Sequence, residues 1–158
     1  MPDRTNAPKA AITSRLVMHQ WMLPEHANAH GNVHGGVILR MVDEAGAICA
    51  MRHTRRPCVT IAFDSMTFRQ PVHLGELLVC TASVTWVGRT SIEVGVDVHS
   101  EDPITGAVSY TNSGFVVYVA LDDSGRPQPA TPLLLTTDEK RAIFAAGAAR
   151  QKHRVERR

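Results

Sequence analysis

Residues 36–53, GVILRMVDEAGAICAMRH, decide the fold. Val37, Met41, Ala45 and Ile48 recur at the spacing of one helical stripe, and Ile38, Val42 and Cys49 lie beside it. A helix from Gly36 to His53 that is apolar around so much of its circumference must be buried on several sides. Pro57 then restarts the chain in extended form.

On both sides of this helix the pattern changes to strands. Residues 11–22, AITSRLVMHQWM, read as a first strand, followed by Pro24 and a loop rich in Asn, His and Gly. Residues 58–70, CVTIAFDSMTFRQ, read as a second strand closed by a turn at PVHLGE. In ELLVCTASVTW (76–86), Leu78, Cys80, Ala82, Val84 and Trp86 share one face, and Thr81, Ser83 and Thr85 the other. SIEVGVDVH (91–99) turns Ile92, Val94, Val96 and Val98 inward and Glu93, Asp97 and His99 outward, and the short VGRT between these strands fits a hairpin. A last strand covers 107–120, DDSGRPQPATP is a proline-rich exit, and the tail from Asp138 is expected as a helix capped by Thr137.

Strand, long buried helix, then four strands in antiparallel succession describe an α+β chain in which a curved sheet wraps one helix: the hotdog fold, with a C-terminal helix appended. The expected division is a flexible N-terminus at 1–10, a single domain at 11–135 and a basic helical tail at 136–158. The open edges of such a sheet commonly pair with a second copy.

Composition narrows the function classes. A chain of 158 residues, 44% hydrophobic and 20% charged, suits one globular domain. No apolar run approaches the roughly 18–20 residues of a membrane helix, and MPDRTNAPKA lacks the apolar segment of a secretion signal. The expected location is the cytoplasm, with no membrane partner. Cys49, Cys58 and Cys80, widely spaced among apolar neighbours, read as small core residues rather than a disulfide or zinc set. A net charge of +2 is too small to argue for nucleic acid, yet 7 of the 17 basic residues lie from Lys140 onward. A solvated surface, an anionic-ligand contact and subunit packing are all open for that tail.

The loop before the helix carries His26, His30 and His34 at four-residue intervals. On a helix they would share a face as metal ligands, but Asn28, Gly31, Asn32 and the Gly35-Gly36 pair disfavour a helix there, so no metal is expected. No Gly-Lys-Ser/Thr follows the glycines, which excludes a phosphate loop. Two readings remain for Gly35 and Gly36: a plain helix entry, or one whose free N–H groups and dipole polarise a carbonyl oxygen. Asp43 favours the second. Its helical neighbours are Leu39, Arg40, Gly46 and Ala47, and it lies too far in to cap the helix, whereas Glu44 has Arg40 as an ion-pair partner. Asp43 could share Arg40, or serve as a base whose proton affinity is raised by burial.

HGNVHGG (30–36), MVDEAGAICAMRH (41–53), MTFRQPVHLGE (66–76), VGRTSIEV (87–94) and FVVYVALDDSGRPQP (115–129), in this order, resemble the cytosolic acyl-CoA hydrolases, the hotdog thioesterases that include the two-domain brain-type enzyme. The resemblance covers roughly residues 12–155 and implies hydrolysis of fatty acyl-CoA to free acid and CoA, with CoA part of the substrate and no separate cofactor. It implies Asn32 and Asp43 as the catalytic pair, with Gly35 and Gly36 as oxyanion donors. It also implies a trimer of dimers.

Helix geometry bears on how such a site is shared. Seven residues separate Gly36 from Asp43, about 10 Å of helix, beyond the roughly 3 Å of a hydrogen bond. A two-fold partner with an antiparallel helix could bring its Asp43 to this helix start. Phosphates of CoA would favour Arg89 in the turn with Thr90 and Ser91; the alternative is a plain hairpin Arg. Phe68 and Arg69 are further candidates for substrate contact, beside an acyl channel expected around 59–68. His34 is either a thioester contact or a loop support. A non-catalytic acyl-CoA-binding regulator is the competing class, although no DNA-binding segment of useful length precedes residue 11. A hotdog hydratase would pair its Asp with a nearby His, which Asp43 lacks.

Overall fold

The computed structural model describes residues 6–64 and 66–158. Its elements are β1 (Leu16–Trp21), α1 (Gly35–Thr54), β2 (Cys58–Phe63), β3 (Leu77–Val87), β4 (Ser91–Glu101), β5 (Val108–Ala120) and α2 (Asp138–Glu156). All strands join one antiparallel sheet in the order β1-β3-β4-β5-β2. α1 lies along its inner face, where Ile38, Met41, Val42, Ala45, Cys49 and Ala50 pack against Leu78, Cys80, Ala82, Val84, Ile92, Val94, Val96, Val98 and Val116. This is the hotdog arrangement expected from the pattern.

Several expectations need correction. Residues 11–13 form a short 3-10 turn instead of the start of β1. Thr13 Oγ1 donates to Ala10 O at 2.7 Å and Ser14 Oγ to Ala11 O at 3.2 Å, so short hydroxyl side chains capture the local backbone. β2 stops at Phe63 rather than reaching residue 70; the Asp64 carboxylate is drawn to the Arg154 guanidinium by two 2.9 Å contacts. β2 also does not neighbour β3. It crosses to the far edge and pairs with β5, Cys58 opposite Ala120. In β3 the register shifts between Val84 and Trp86, so Val87 turns to the core and Trp86 to the outer face, against the expected alternation.

Trp86 leaves the core because α2 covers that outer face. Its ring lies 6.5 Å from that of Phe144, and Gly147 packs so closely that a Cβ there would come 2.5 Å from Trp86 Cβ. Glu93 points outward as the alternation requires, yet it is 0% exposed. Arg150 grips it with two hydrogen bonds (2.7 and 3.1 Å), Thr85 donates at 2.6 Å, and Arg154 pairs with it as well as with Asp64. The Arg150 guanidinium also sits 3.6 Å over the Phe115 ring. Two cations of the tail are thus structural clamps, and a buried carboxylate is tolerable only because they pair it.

Thr137 caps α2 by accepting from Lys140 N at 3.2 Å, as its sequence position suggests. Residues 1–5 of the expected flexible N-terminus lie outside the described residues, as does Ser65; Lys9 bonds the main chain of Pro132 and Leu134. Among the described residues no helix is long and apolar enough to cross a membrane.

Candidate active site

The loop into α1 is folded by its own polar side chains. Asn28 Oδ1 accepts from His30 N (2.9 Å) and Asn32 N (3.2 Å), and Val33 N donates to Val72 O (2.9 Å). His34 is the helix cap: its Nδ1 accepts from the Gly36 N–H at 2.9 Å. Of the two expected oxyanion donors, the Gly36 N–H is therefore taken, while that of Gly35 has no acceptor among the described residues. Through Nδ1, His34 accordingly supports the helix entry. Phe68 stands over this end, its ring 3.7 Å from where a Gly35 Cβ would lie. Asn32 is half-buried, and its side-chain amide has no hydrogen-bond partner among the described residues.

Asp43 lies eight residues past Gly35, about 12 Å along the helix. Arg40 pairs with Glu44 at 3.0 Å, as their spacing predicts. Asp43 is instead held across the helix–sheet seam. Thr60 Oγ1 of β2 donates to its Oδ1 at 2.7 Å, and the Tyr118 hydroxyl of β5 donates to its main-chain O at 3.0 Å, lying 3.3 Å from the same Oδ1. Burial first, then the Asp43 charge, pushes the Tyr118 phenol far above its usual range, so it stays a donor. Oδ2 has no partner among the described residues. Sequence reading missed Thr60 and Tyr118; a phenol between Val116 and Ala120 on the inward face of β5 was the one available signal.

The remaining candidates divide between two ends of the molecule. Arg69 N bonds Thr111 O, while Thr90 O accepts from Ala120 N. These anchors on β5 are nine positions apart, roughly 30 Å at about 3.3 Å per residue. Phe68 and Arg69 thus join Asn32, His34, Gly35 and Gly36 at the helix start, and Arg89, Thr90 and Ser91 lie at the far end. Beside Phe68 runs an apolar groove of about 400 Å³ lined by Leu39, Phe63, Asp64, Met66 and Phe68. Phe63 and Asp64 also line a wider cleft of about 760 Å³ with His153, Arg154, Arg157 and Arg158. Val59, Ile61 and Phe63 leave the β2 edge apolar and exposed.

Comparison with known proteins gives a consistent picture. The family model of the thioesterase superfamily matches residues 30–107. The uncharacterized acyl-CoA thioester hydrolase YkhA of Bacillus subtilis is 32% identical over 145 residues, 92% of this chain and 84% of that protein. The human cytosolic acyl coenzyme A thioester hydrolase is 40% identical over 118 residues, 71% of this chain but 30% of that protein. Among solved structures, an apo-hexameric acyl-CoA thioesterase superposes with a TM-score of 0.89 at 34% identity, covering 96% of this chain and 97% of the other. An acyl-CoA hydrolase of Staphylococcus aureus, solved with butyryl coenzyme A, coenzyme A and coenzyme A disulfide, gives 0.85 at 28% identity over 94% and 91%. That enzyme has also been solved with an aspartate, an asparagine or a threonine replaced by alanine.

The fold is that of the hotdog thioesterases. The chain belongs to the thioesterase superfamily, among its acyl-CoA thioester hydrolases.

Proposed function

We propose that this chain hydrolyses acyl-CoA thioesters to free acid and CoA at two equivalent sites, each shared across a homodimer. The observation that carries the reading is Asp43: a mid-helix carboxylate anchored through Oδ1 by Thr60 and Tyr118, with Oδ2 free and the open Gly35 N–H about 12 Å away. One subunit cannot bring both to a single carbonyl. Pairing along the exposed β2 edge, with the helices antiparallel, would place Asp43 of the partner subunit opposite this Gly35.

In the proposed reaction the thioester oxygen accepts the Gly35 N–H at the positive end of α1. Asp43 of the partner subunit takes a proton from water as its oxygen attacks the carbonyl carbon. Asn32, whose amide is unengaged, orients that water or the thioester. Collapse of the tetrahedral oxyanion breaks the carbon–sulfur bond, and the proton held by Asp43 passes to the departing CoA thiolate. Direct attack by the carboxylate, forming an anhydride that water then cleaves, is the variant of the same geometry. The aspartate, asparagine and threonine replaced in the Staphylococcus enzyme are the residue types of Asp43, Asn32 and Thr60, which supports this allocation.

The acyl chain is assigned to the apolar groove at Phe68, and the CoA phosphates to Arg89 of the partner subunit, which pairing at β2 would bring from its far end. We further assign the chain as a one-domain counterpart of the brain-type enzyme, assembled as a trimer of dimers; two hexameric relatives, one of them of matching length, support that assembly. Thiol release from acyl-CoAs tests the activity, and Asp43→Ala should lose about 10²–10⁴ of it with the oligomer intact. Mixing inactive Asp43→Ala and Asn32→Ala chains tests the sharing. Random exchange should restore about a quarter of wild-type sites, whereas sites confined to one subunit would restore none. A chain that binds acyl-CoA without releasing thiol would be a regulator instead.

A further inference from the structure

Among the described residues, Asn112 is the one buried side-chain amide, and the reaction above does not explain its place in the fold. It is 1% exposed on β5 opposite Val98, and among the described residues both its Nδ2 and its Oδ1 lack a hydrogen-bond partner. Orphaned pairs of this kind are rare, because burial strips water from a strong donor and acceptor without replacing it. A valine would fill an aliphatic strand at no such cost.

The surroundings say what reaches it. Along β5, Asn112, Gly114, Val116 and Tyr118 alternate onto the inner face, the one that meets Asp43. Met66 lies on that face at Gly114, so close that a Cβ there would be 2.7 Å from Met66 Cγ. Met66 also lines the apolar groove beside the α1 entry. One wall of the groove is therefore a flexible, unbonded thioether that packs on the bare backbone of Gly114, two residues or about 7 Å along β5 from the unpaired amide. Asn112 is 1% exposed, so a group reaching it points into the interior, whereas a CoA arm must lead out to its nucleotide; the acyl group is the part of the substrate that can point this way.

We infer that Asn112 is a specificity-determining residue that reads a hydroxyl or oxo substituent on the acyl chain once Met66 swings aside. This rests on the thioesterase reading above and adds to it the class of acyl group preferred. A primary amide offers both donors and an acceptor, so it can pair a hydroxyl or a carbonyl. A plain aliphatic chain would leave it orphaned, and sites built to bond a polar group discriminate strongly against analogues lacking it.

The test compares kcat/KM for octanoyl-CoA with octanoyl-CoAs hydroxylated at successive carbons, in the wild type and in the near-isosteric Asn112→Leu. Wild type should favour at least one hydroxylated chain by tenfold or more, and Asn112→Leu should erase or invert that preference by lowering kcat/KM for the hydroxylated chain far more than for octanoyl-CoA. The proposal is overturned if wild type shows no such preference at any position. It is equally overturned if Asn112→Leu melts higher with its preference unchanged, the mark of an amide solvated by trapped water. Equal loss on every acyl-CoA would assign Asn112 to the pantetheine arm and also overturn it. Should Asn112→Leu fail to fold, Met66→Ala must raise kcat/KM for the hydroxylated chain over the plain one, and an unchanged ratio counts against the proposal. Absence of all thiol release in the wild type would instead defeat the underlying hydrolase reading.

Discussion

Gly46→Ala probes how tightly Asp43 is held. Gly46 lies one helical turn past Asp43, facing Tyr118; a methyl there would come 3.0 Å from Tyr118 Cζ and 3.1 Å from Cε2, and closer still to the hydroxyl oxygen. Tyr118 is 0% exposed in a strand flanked by β4 and β2, so it cannot swing clear. Alanine gains about 1 kcal/mol over glycine in a helix interior. Overpacking costs about 1–3 kcal/mol, and displacing the hydroxyl from Asp43 forfeits about 0.5–1.5 more. The net expectation is a loss of about 2 kcal/mol, or roughly 4–8 °C in Tm for a chain of this size. Urea and thermal melts of Gly46→Ala, Tyr118→Phe and the double variant check it. Removing the hydroxyl should rescue at least 1 kcal/mol of the Gly46→Ala penalty, and thiol release should fall in both single variants. Additive effects within about 0.5 kcal/mol, or a higher Tm for Gly46→Ala alone, would refute the wedge.

Arg89→Ala should raise KM for acyl-CoA without lowering kcat, and should flatten its salt dependence; equal KM values at low and high salt in both proteins would remove Arg89 from phosphate binding. Glu93→Ala leaves Arg150 and Arg154 facing each other without their shared acid and should cost about 3 kcal/mol, with α2 cleaved early by trypsin; unchanged proteolysis would show that apolar contacts hold the helix. Burial, with a smaller push from Lys9, holds the His53 imidazole below its ordinary value of 6.5, although its Nε2 bonds Thr131 O at 3.0 Å. A depressed folded-state pKa means that this stability is complete above about 6.5 and is lost as pH falls through the lowered value, so His53→Gln should show a shallower acid decline in Tm than wild type. Burial pushes the Cys49 and Cys80 thiols up to about 11 and about 12, so both should resist alkylation at pH 8 until the chain unfolds, and rapid labelling of the native protein would contradict their burial.

The parts of the fold that were legible in the sequence are those governed by a local period. α1, β3, β4 and β5 announce themselves because each buries one face or stripe, and their ends fall within a residue or two of expectation. Trp86 was misplaced because its face depends on α2, 60 residues away in the chain: Gly147 and Phe144 make a seat for an indole outside the core, and one shifted residue in β3 delivers it. Glu93 was read correctly as outward-facing, but a period of two cannot say that a second layer closes over it. The crossing of β2 to the far edge was likewise invisible, since CVTIAF pairs as readily with one antiparallel neighbour as with another, and only closure of the sheet around α1 decides which.

That crossing is also what makes the site. Asp43 could be singled out by elimination, as a mid-helix acid without a helical partner, but its donors come from strands that reach it only because β2 lies beside β5. Placed next to β3, Thr60 would have been on the wrong side of α1, and Asp43 would have had the Tyr118 phenol alone. With β2 at the edge, Thr60 and Tyr118 converge on the same oxygen, Oδ1, from adjoining strands. Both donors fix the carboxylate in the seam while leaving Oδ2 without a protein donor at the rim where a second copy would pair. A carboxylate anchored through one oxygen and open at the other can both hold its direction and accept a proton, and a base needs both. The same edge position keeps Val59, Ile61 and Phe63 uncovered. One topological choice therefore supplies the grip on Asp43 and also the apolar edge across which its partner's Gly35 would arrive.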